Sequence, residues 1–453
     1  MGRWLLSACL GLMLGFWGDL PQARAQAQGG FTSNNYSIDL FTGPVVAGGR
    51  IRGMAGAYAA IASGIDGSVF NPAGYAERVE SEINWWEWEL TGSLSLGGIF
   101  HDNDFDNNGH DDLSSADAFS VGLGGRMQFG HVGTGLSAVA QTFTLKDASD
   151  KAFADVVLTN LRAGGGYAFL DGDLVVGATL RGVILQVDSP TGAQQTLVNF
   201  FGLGAEFGVL ARPAHERYRA GLAVRTPIES RPNNSGEVVN GLRTAQGLVL
   251  PERVHVPWEL DLGFAYQFGE RRTNVPWRET TGIRTNLQRQ LANGTYLPPP
   301  LYDGPAYTPI PHDNPKAALR QAIANDREAE RRLIRNQPRR YVLVSGDLIL
   351  YGKTDRGQGL TSFLTQQPET SGAKNSVGVR FGMESEVLQN RMKVRAGTYL
   401  EPSRFQRSYY RPHGTLGFDV RLFDLWRWSF RGTATIDAAP RFFDWGAAIG
   451  IWR

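Results

Sequence analysis

The 453-residue chain is nearly without cysteine: Cys9 is the only one. A disulfide framework and a thiolate metal site are therefore excluded, and export without cysteine fits a bacterial envelope better than a stapled secreted domain. An excess of either charge is also missing. Lys and Arg number 45 against 44 Asp and Glu, so nothing in the charge balance recruits nucleic acid. Long apolar runs are absent too. A bilayer-spanning helix needs roughly 20 mainly apolar residues, and only the extreme N-terminus offers a candidate. Enzyme motifs are missing as well: the few histidines have no zinc-ligand spacing, and there is no G-x-S-x-G elbow. Gly202-Leu203-Gly204 meets Phe207 where a dinucleotide loop needs its third glycine. No catalysis and no organic cofactor are expected.

What the chain has in excess is glycine, 56 residues, about 12% against a usual ~7%. The excess has no collagen period.

Residues 1–25 have the layout of a cleaved signal peptide. Arg3 supplies the positive start, Leu5 to Trp17 the apolar stretch, and Ala23-Arg24-Ala25 the cleavage pattern. Leu6-Ser7-Ala8-Cys9 matches a lipoprotein box on paper, but the apolar run continues past Cys9, which argues against acylation.

Beyond residue 80 the dominant pattern is strict alternation. Val256, Trp258, Leu260, Leu262, Phe264, Tyr266 and Phe268 alternate with Pro257, Glu259, Asp261, Gly263, Ala265 and Gln267. Val377, Val379, Phe381 and Met383 alternate with Gly378, Arg380, Gly382 and Glu384. Runs of this length exceed the usual 5–6 residues of a sandwich strand and match the roughly 9–11 that cross a bilayer. The polar face mixes glycine with charge, as a watery lumen would. Trp86, Trp88, Trp258, Tyr266, Phe268, Trp428 and Trp445 sit near strand ends, where interfacial girdles belong.

The expected fold is all-β, a transmembrane antiparallel β-barrel of about 14 strands. The spans are 82–99, 118–130, 132–145, 156–169, 174–187, 198–210, 218–226, 255–268, 341–351, 376–387, 391–400, 414–423, 427–437 and 441–452. Links after odd strands are mostly long and polar, and links after even strands are short, as outer loops and periplasmic turns are. One even link breaks the rule. Residues 269–340 form a Pro- and Arg-rich insertion with a helix expected from Pro315 to about Ile334, capped by Asn314. Parity puts it in the periplasm, either as a solvated excursion or as a docking element for a protein partner. The organisation is thus signal peptide 1–25, N-terminal plug 26–80, strands one to eight in 81–268, the insertion 269–340, and strands nine to fourteen in 341–453.

The plug is inferred because a barrel this wide cannot be filled by side chains alone, and residues 26–80 are small and do not alternate. Gly53-Met54-Ala55-Gly56-Ala57-Tyr58 is followed by Phe70-Asn71-Pro72-Ala73-Gly74, and Leu250-Pro251 by Pro257-Trp258-Glu259-Leu260-Asp261-Leu262-Gly263-Phe264-Ala265-Tyr266. These residues resemble the signature of the FadL/TodX outer-membrane transport family and its PorV-like relatives. The likeness covers the plug and the barrel's architecture, not residues 269–340. It implies a fourteen-stranded barrel with an N-terminal hatch, and Gly53, Met54, Gly56, Asn71, Pro72, Ala73 and Gly74 as the hatch signature. FadL-type members pass long-chain fatty acids or aromatic hydrocarbons; PorV-like members serve protein export and surface attachment. The chain departs from the family in ending on Trp452-Arg453 rather than a terminal aromatic. Expected partners are a hydrophobic small-molecule ligand, outer-membrane lipid and lipopolysaccharide.

Two candidate sites remain. The alternation gathers Arg380, Glu384, Lys393, Arg395, Asp419 and Arg421 in the lumen. They form either cross-strand ion pairs that order the interior or a path for an amphipathic ligand. From Asp104, the loop within 102–115 reads D-x-D-x-N-G-x-x-D, with Asp104, Asp106, Asn108 and Asp112 as calcium-loop ligands but Ser115 where the closing glutamate belongs. An ordinary acidic outer loop has the same composition.

Overall fold

The computed structural model describes residues 30–451, apart from 79–84, 98–102, 105, 110–112, 148–151, 190–195, 234–235, 246, 275–276, 278–282, 300–305, 312, 337, 406–409 and 426–427. The expected signal peptide lies outside the described residues.

Fourteen antiparallel strands close into a barrel, each paired with its neighbours in sequence. They are β1 (Trp86–Gly97), β2 (Leu113–Phe129), β3 (Val132–Asp147), β4 (Ala152–Phe169), β5 (Leu174–Asp188), β6 (Thr196–Ala211), β7 (Tyr218–Arg225), β8 (Glu259–Gly269), β9 (Tyr341–Tyr351), β10 (Ser376–Leu388), β11 (Met392–Glu401), β12 (Arg411–Leu425), β13 (Trp428–Ala439) and β14 (Phe442–Ile451). The closing seam joins β1 to β14 through six residue pairs, Gly92 with Ile449 to Gly97 with Asp444. Closure leaves no sheet edge, the condition for strands to cross hydrocarbon. The outer face carries the apolar set, with Leu94, Leu123, Leu136, Leu180, Phe207, Phe264, Phe381 and Ile449 among its exposed side chains. This is the face that meets lipid.

One end of the barrel has tight turns. Gly130 (φ 55°) and Gly172 (φ 83°) take the left-handed conformations these need. At the other end long loops fold over the mouth. The eighth strand begins later than its alternation suggests. Pro257 has no N–H for a ladder, and the chain breaks there. Arg253–Val256 belongs to a separate four-stranded sheet, pairing in parallel with Ser37–Asp39, while Gly357–Gln358 pairs with the other edge of Ser37–Asp39. Val256 is buried there rather than facing lipid.

Residues 36–78 fill the lumen with short turns of helix, Gly49–Gly53, Gly64–Ser68 and the 3-10 turn Pro72–Tyr75. The wall around them is glycine. A Cβ on Gly177 would overlap the Pro72 carbonyl, one on Gly208 the Asn71 side chain, one on Gly221 the Ala59 carbonyl, and one on Gly382 the Met54 carbonyl. The glycine excess is therefore a seat that lets plug backbone touch strand backbone. In the insertion, the helices Ile283–Ala292 and Pro315–Arg335 pack on each other. Asn314 caps the second by accepting from Lys316 N and Ala317 N at 3.0 and 3.1 Å.

Candidate functional site

Near the long-loop end, β3–β6 are apolar on the lumenal face as well as the lipid face. Phe143, Leu145, Val156, Leu158, Val183, Leu185, Val187 and Phe200 are all buried in one cluster. Ile38 and Leu40 of the N-terminal segment, and Leu360, Phe363 and Leu364 of the β9–β10 loop, cover them. A narrow cleft with a free volume of about 30 Å³ runs between these layers, bounded by Phe41, Phe143, Leu158, Leu185, Leu360 and Phe405. As it stands the cleft is shut, and a hydrocarbon must part its walls to occupy it.

The polar groups bordering the cleft differ in one respect. Asp39 is saturated. It accepts from Arg404 Nε and Nη2 at 2.9 and 3.0 Å, from Thr354 Oγ1 at 2.6 Å and from Ser371 Oγ at 2.7 Å. Asp106 is only partly served: the Thr361 side chain and the Asn108 backbone lie within hydrogen-bonding reach of its carboxyl, but its Oδ2 is buried without a hydrogen-bond partner. Burial, and then the neighbouring Asp104 carboxylate, push Asp106 up to about 7.

Below the cleft the plug is latched to the wall at several levels. Arg50 donates through Nε and Nη2 to Glu384 of β10, both at 2.8 Å. Glu384 also accepts from Arg395 Nε at 2.6 Å and Tyr341 Oη at 3.0 Å. Arg395 in turn makes a two-pronged pair with Asp419 at 2.7 Å. Asp347 accepts the Tyr58 and Ala59 amides at 2.7 and 3.0 Å. Asn71, fully buried, donates to the Ala59 and Val209 carbonyls and accepts the Ala73 amide. Buried polar groups without such partners would be costly.

At the short-turn end a vestibule of about 190 Å³ opens beneath the plug, with Arg50, Tyr58, Arg219, Glu384 and Lys393 on its walls. The root of the insertion forms part of this mouth. Asn274 accepts from Arg219 Nε at 2.7 Å and donates to the Pro213 and Tyr218 carbonyls. Arg219 also donates to the plug, to the Ile61 carbonyl at 3.0 Å and Glu77 Oε1 at 3.2 Å, and to the Thr273 carbonyl at 2.7 Å. Trp277 stacks on His131, with ring centroids 4.4 Å apart.

No family model matches the chain, and no curated protein is similar to it in sequence. Solved structures with the same architecture do exist. A FadL homologue from Pseudomonas aeruginosa superposes with a TM-score of 0.50 at 12% identity, covering 91% of this chain and 98% of the other. The monoaromatic hydrocarbon channel CymD gives 0.50 at 11% identity, covering 91% and 97%. The fold is that of the FadL-type barrels.

In this FadL-type fold the residues singled out by sequence fall into three groups. The hatch signature lies at the plug–wall contacts. Gly53 faces the Cα of Gly417, Met54 is fully buried, and Gly56 has φ 72° beside Val45. Pro72, Ala73 and Gly74 make the 3-10 turn that Asn71 caps. Of the lumenal charges, Glu384, Arg395 and Asp419 come together with Lys393 close by. Arg380 sits apart, 3.5 Å from Tyr351 Oη and over the Phe70 ring, and Arg421 lies further along β12. Asp104 closes its own turn, accepting Asn108 N at 3.2 Å and Gly109 N at 3.1 Å. Asp112 lies outside the described residues. The apolar lumenal patch is the feature that alternation concealed. Its signal is the loss of alternation in Val156-Val157-Leu158, Val183-Ile184-Leu185 and Leu197-Val198, where both faces of a strand are apolar.

Proposed function

We propose that the chain is an outer-membrane channel through which hydrophobic or amphipathic small molecules pass passively, with no reaction catalysed. The observation that carries this reading is the apolar patch on the lumenal wall of β3–β6. A lumen that serves ions or water has no use for such a surface, whereas a hydrophobic solute gains about 25 cal/mol for each Å² of apolar area it buries. The shared fold with a FadL homologue and with a channel described as conducting monoaromatic hydrocarbons supports the same reading. In this orientation the long loops face outward, bordered by lipopolysaccharide, and the insertion lies in the periplasm after signal-peptide cleavage. A ligand reaches the cleft from outside, the plug shifts, and the ligand leaves through the charged vestibule. Long-chain fatty acids stand at the charged end of the substrate range.

The test is uptake of a labelled aromatic hydrocarbon and a labelled long-chain fatty acid by cells whose own uptake barrels are deleted. Expression should raise uptake of at least one of them. Leu158→Asp and Leu185→Asp should lower it at least fivefold, because a buried carboxylate in an apolar cleft is heavily penalised. Uptake equal to that of cells with the empty vector refutes the reading. A second reading, a PorV-like scaffold for a protein partner in export or surface attachment, is supported by the helix pair rooted at the inner mouth. A stoichiometric protein partner that is lost when residues 283–335 are removed would favour it.

A further inference from the structure

The cleft contains more than its apolar walls, and its polar inventory is short. Arg404 is committed on every side: Nε and Nη2 to Asp39, Nη1 to the Gly352 carbonyl at 2.8 Å. Asp39 has four donors around it. Neither has capacity left for a ligand. Among the described residues bordering the cleft, Asp106 alone has a buried side-chain oxygen with no hydrogen-bond partner. It is a carboxyl, and it comes from the β1–β2 loop.

We propose that this cleft selects hydrophobic molecules bearing one neutral hydroxyl, such as aromatic or aliphatic alcohols, over the parent hydrocarbon and over the corresponding carboxylate. The proposal rests on the channel reading above and assigns the chemical class of its ligand. A hydroxyl supplies the donor that Asp106 Oδ2 lacks, while the rest of the molecule lies against Phe143, Leu158 and Leu185. A pure hydrocarbon leaves the buried oxygen unpaired, and a site built around a polar group rejects the analogue that lacks its partner. A carboxylate fares worst. The charged side chains bordering the cleft are Asp39, Asp106 and Arg404; the Arg404 charge is spent on Asp39, so an incoming anion meets Asp106 with no free cation to offset it. A hydroxyl is compatible with Asp106 in either protonation state, because it both donates and accepts.

Equilibrium dialysis of the full-length protein in lipid nanodiscs, against naphthalene, naphthalenemethanol and naphthoate, tests this. Counts from empty nanodiscs are subtracted, and EDTA is present throughout. The expected order is alcohol over hydrocarbon by about tenfold, with naphthoate weakest. In Asp106→Ala the ratio of alcohol to hydrocarbon should fall to about one. Asp106→Asn, which keeps a hydrogen-bonding head without the charge, should restore much of the alcohol ratio and raise naphthoate binding. Heat-modifiable mobility on a gel verifies that each variant is folded. Naphthoate binding the native protein as tightly as the alcohol overturns the proposal. So does an alcohol preference that survives Asp106→Ala, or one that appears only when calcium replaces EDTA. If none of the three probes binds above empty nanodiscs, the channel reading itself falls; if they bind without preference for the alcohol, only the selectivity falls.

Discussion

Removing Glu384 tests the latch between plug and wall more severely than removing Arg50, and the structure says by how much. Glu384 is 1% exposed and Arg50 24% exposed. In Arg50→Ala, Glu384 keeps Arg395 and Tyr341 as partners, so the closed plug loses only the charged hydrogen bonds from Arg50. Such bonds are worth about 1.5–3 kcal/mol when dry, or about 1–2 kcal/mol once the partial exposure of Arg50 is allowed for. In Glu384→Ala the guanidinium stays on the plug with its carboxylate gone, and opening relieves its desolvation. One-sided removal from a buried pair costs about 3–5 kcal/mol, and the same allowance brings it to about 2–4 kcal/mol. At 1.4 kcal/mol per tenfold, Arg50→Ala should raise the open population about 5- to 30-fold and Glu384→Ala about 30- to 700-fold.

The chain suits the assay, because Cys9 is its only cysteine. In a Cys9→Ser background, Ser68→Cys places a thiol at a fully buried plug position. Its maleimide labelling rate then follows the open population when opening and closing outpace labelling. Equal acceleration in the two variants, or a larger one in Arg50→Ala, would refute the asymmetry. No acceleration in either would refute the latch.

Two further outcomes follow from the plug's seat and from the N-terminal sheet. Gly177→Val pushes a side chain into the Pro72 carbonyl, so the barrel should still form while the plug is displaced, at a cost of at least about 1–3 kcal/mol. Labelling of Ser68→Cys should become fast with heat-modifiable mobility retained. His255 is buried outside the barrel, with Nδ1 2.7 Å from Thr354 Oγ1, and burial lowers its pKa below the usual 6.5. A depressed histidine contributes stability that is present above its unfolded value and is lost as pH falls through the folded one. Hydrogen-exchange protection at 37–39 and 253–256, after division by the intrinsic base-catalysed rate at each pH, should therefore be greater at pH 7.5 than at pH 5, and His255→Gln should flatten that difference. A profile unchanged by the substitution would remove His255 from the account.

The barrel was legible in the sequence because lipid on one side and lumen on the other force period two on every strand. Tyr341–Tyr351 has the expected bounds, and most other strands agree to within a few residues. That Glu384 lies beside Arg395 was legible too, since the short turn between β10 and β11 fixes register; Lys393 meets Asp419 across a long loop, so there only the shared lumenal face was legible. Contacts that couple distant parts of the chain left no local trace. Arg50 reaches Glu384 across 334 residues, and Ser37–Asp39 pairs with Arg253–Val256 in parallel, which no turn announces. The helix Ile283–Ala292 was missed because its polar composition, mostly Arg, Gln, Thr and Asn, lacks an apolar stripe of useful width.

Arg219 has a consequence for how force moves through the molecule. A single guanidinium is shared between the plug, through Ile61 and Glu77, and the root of the insertion, through Thr273 and Asn274. A plug displacement that carries Ile61 and Glu77 away leaves Arg219 held by the insertion alone, and a pull on the insertion acts on the same bonds from the other side. By thermodynamic reciprocity, whatever loosens one loosens the other by an equal factor. The long appendage and the hatch are thus the two arms of one lever, with its fulcrum on β7.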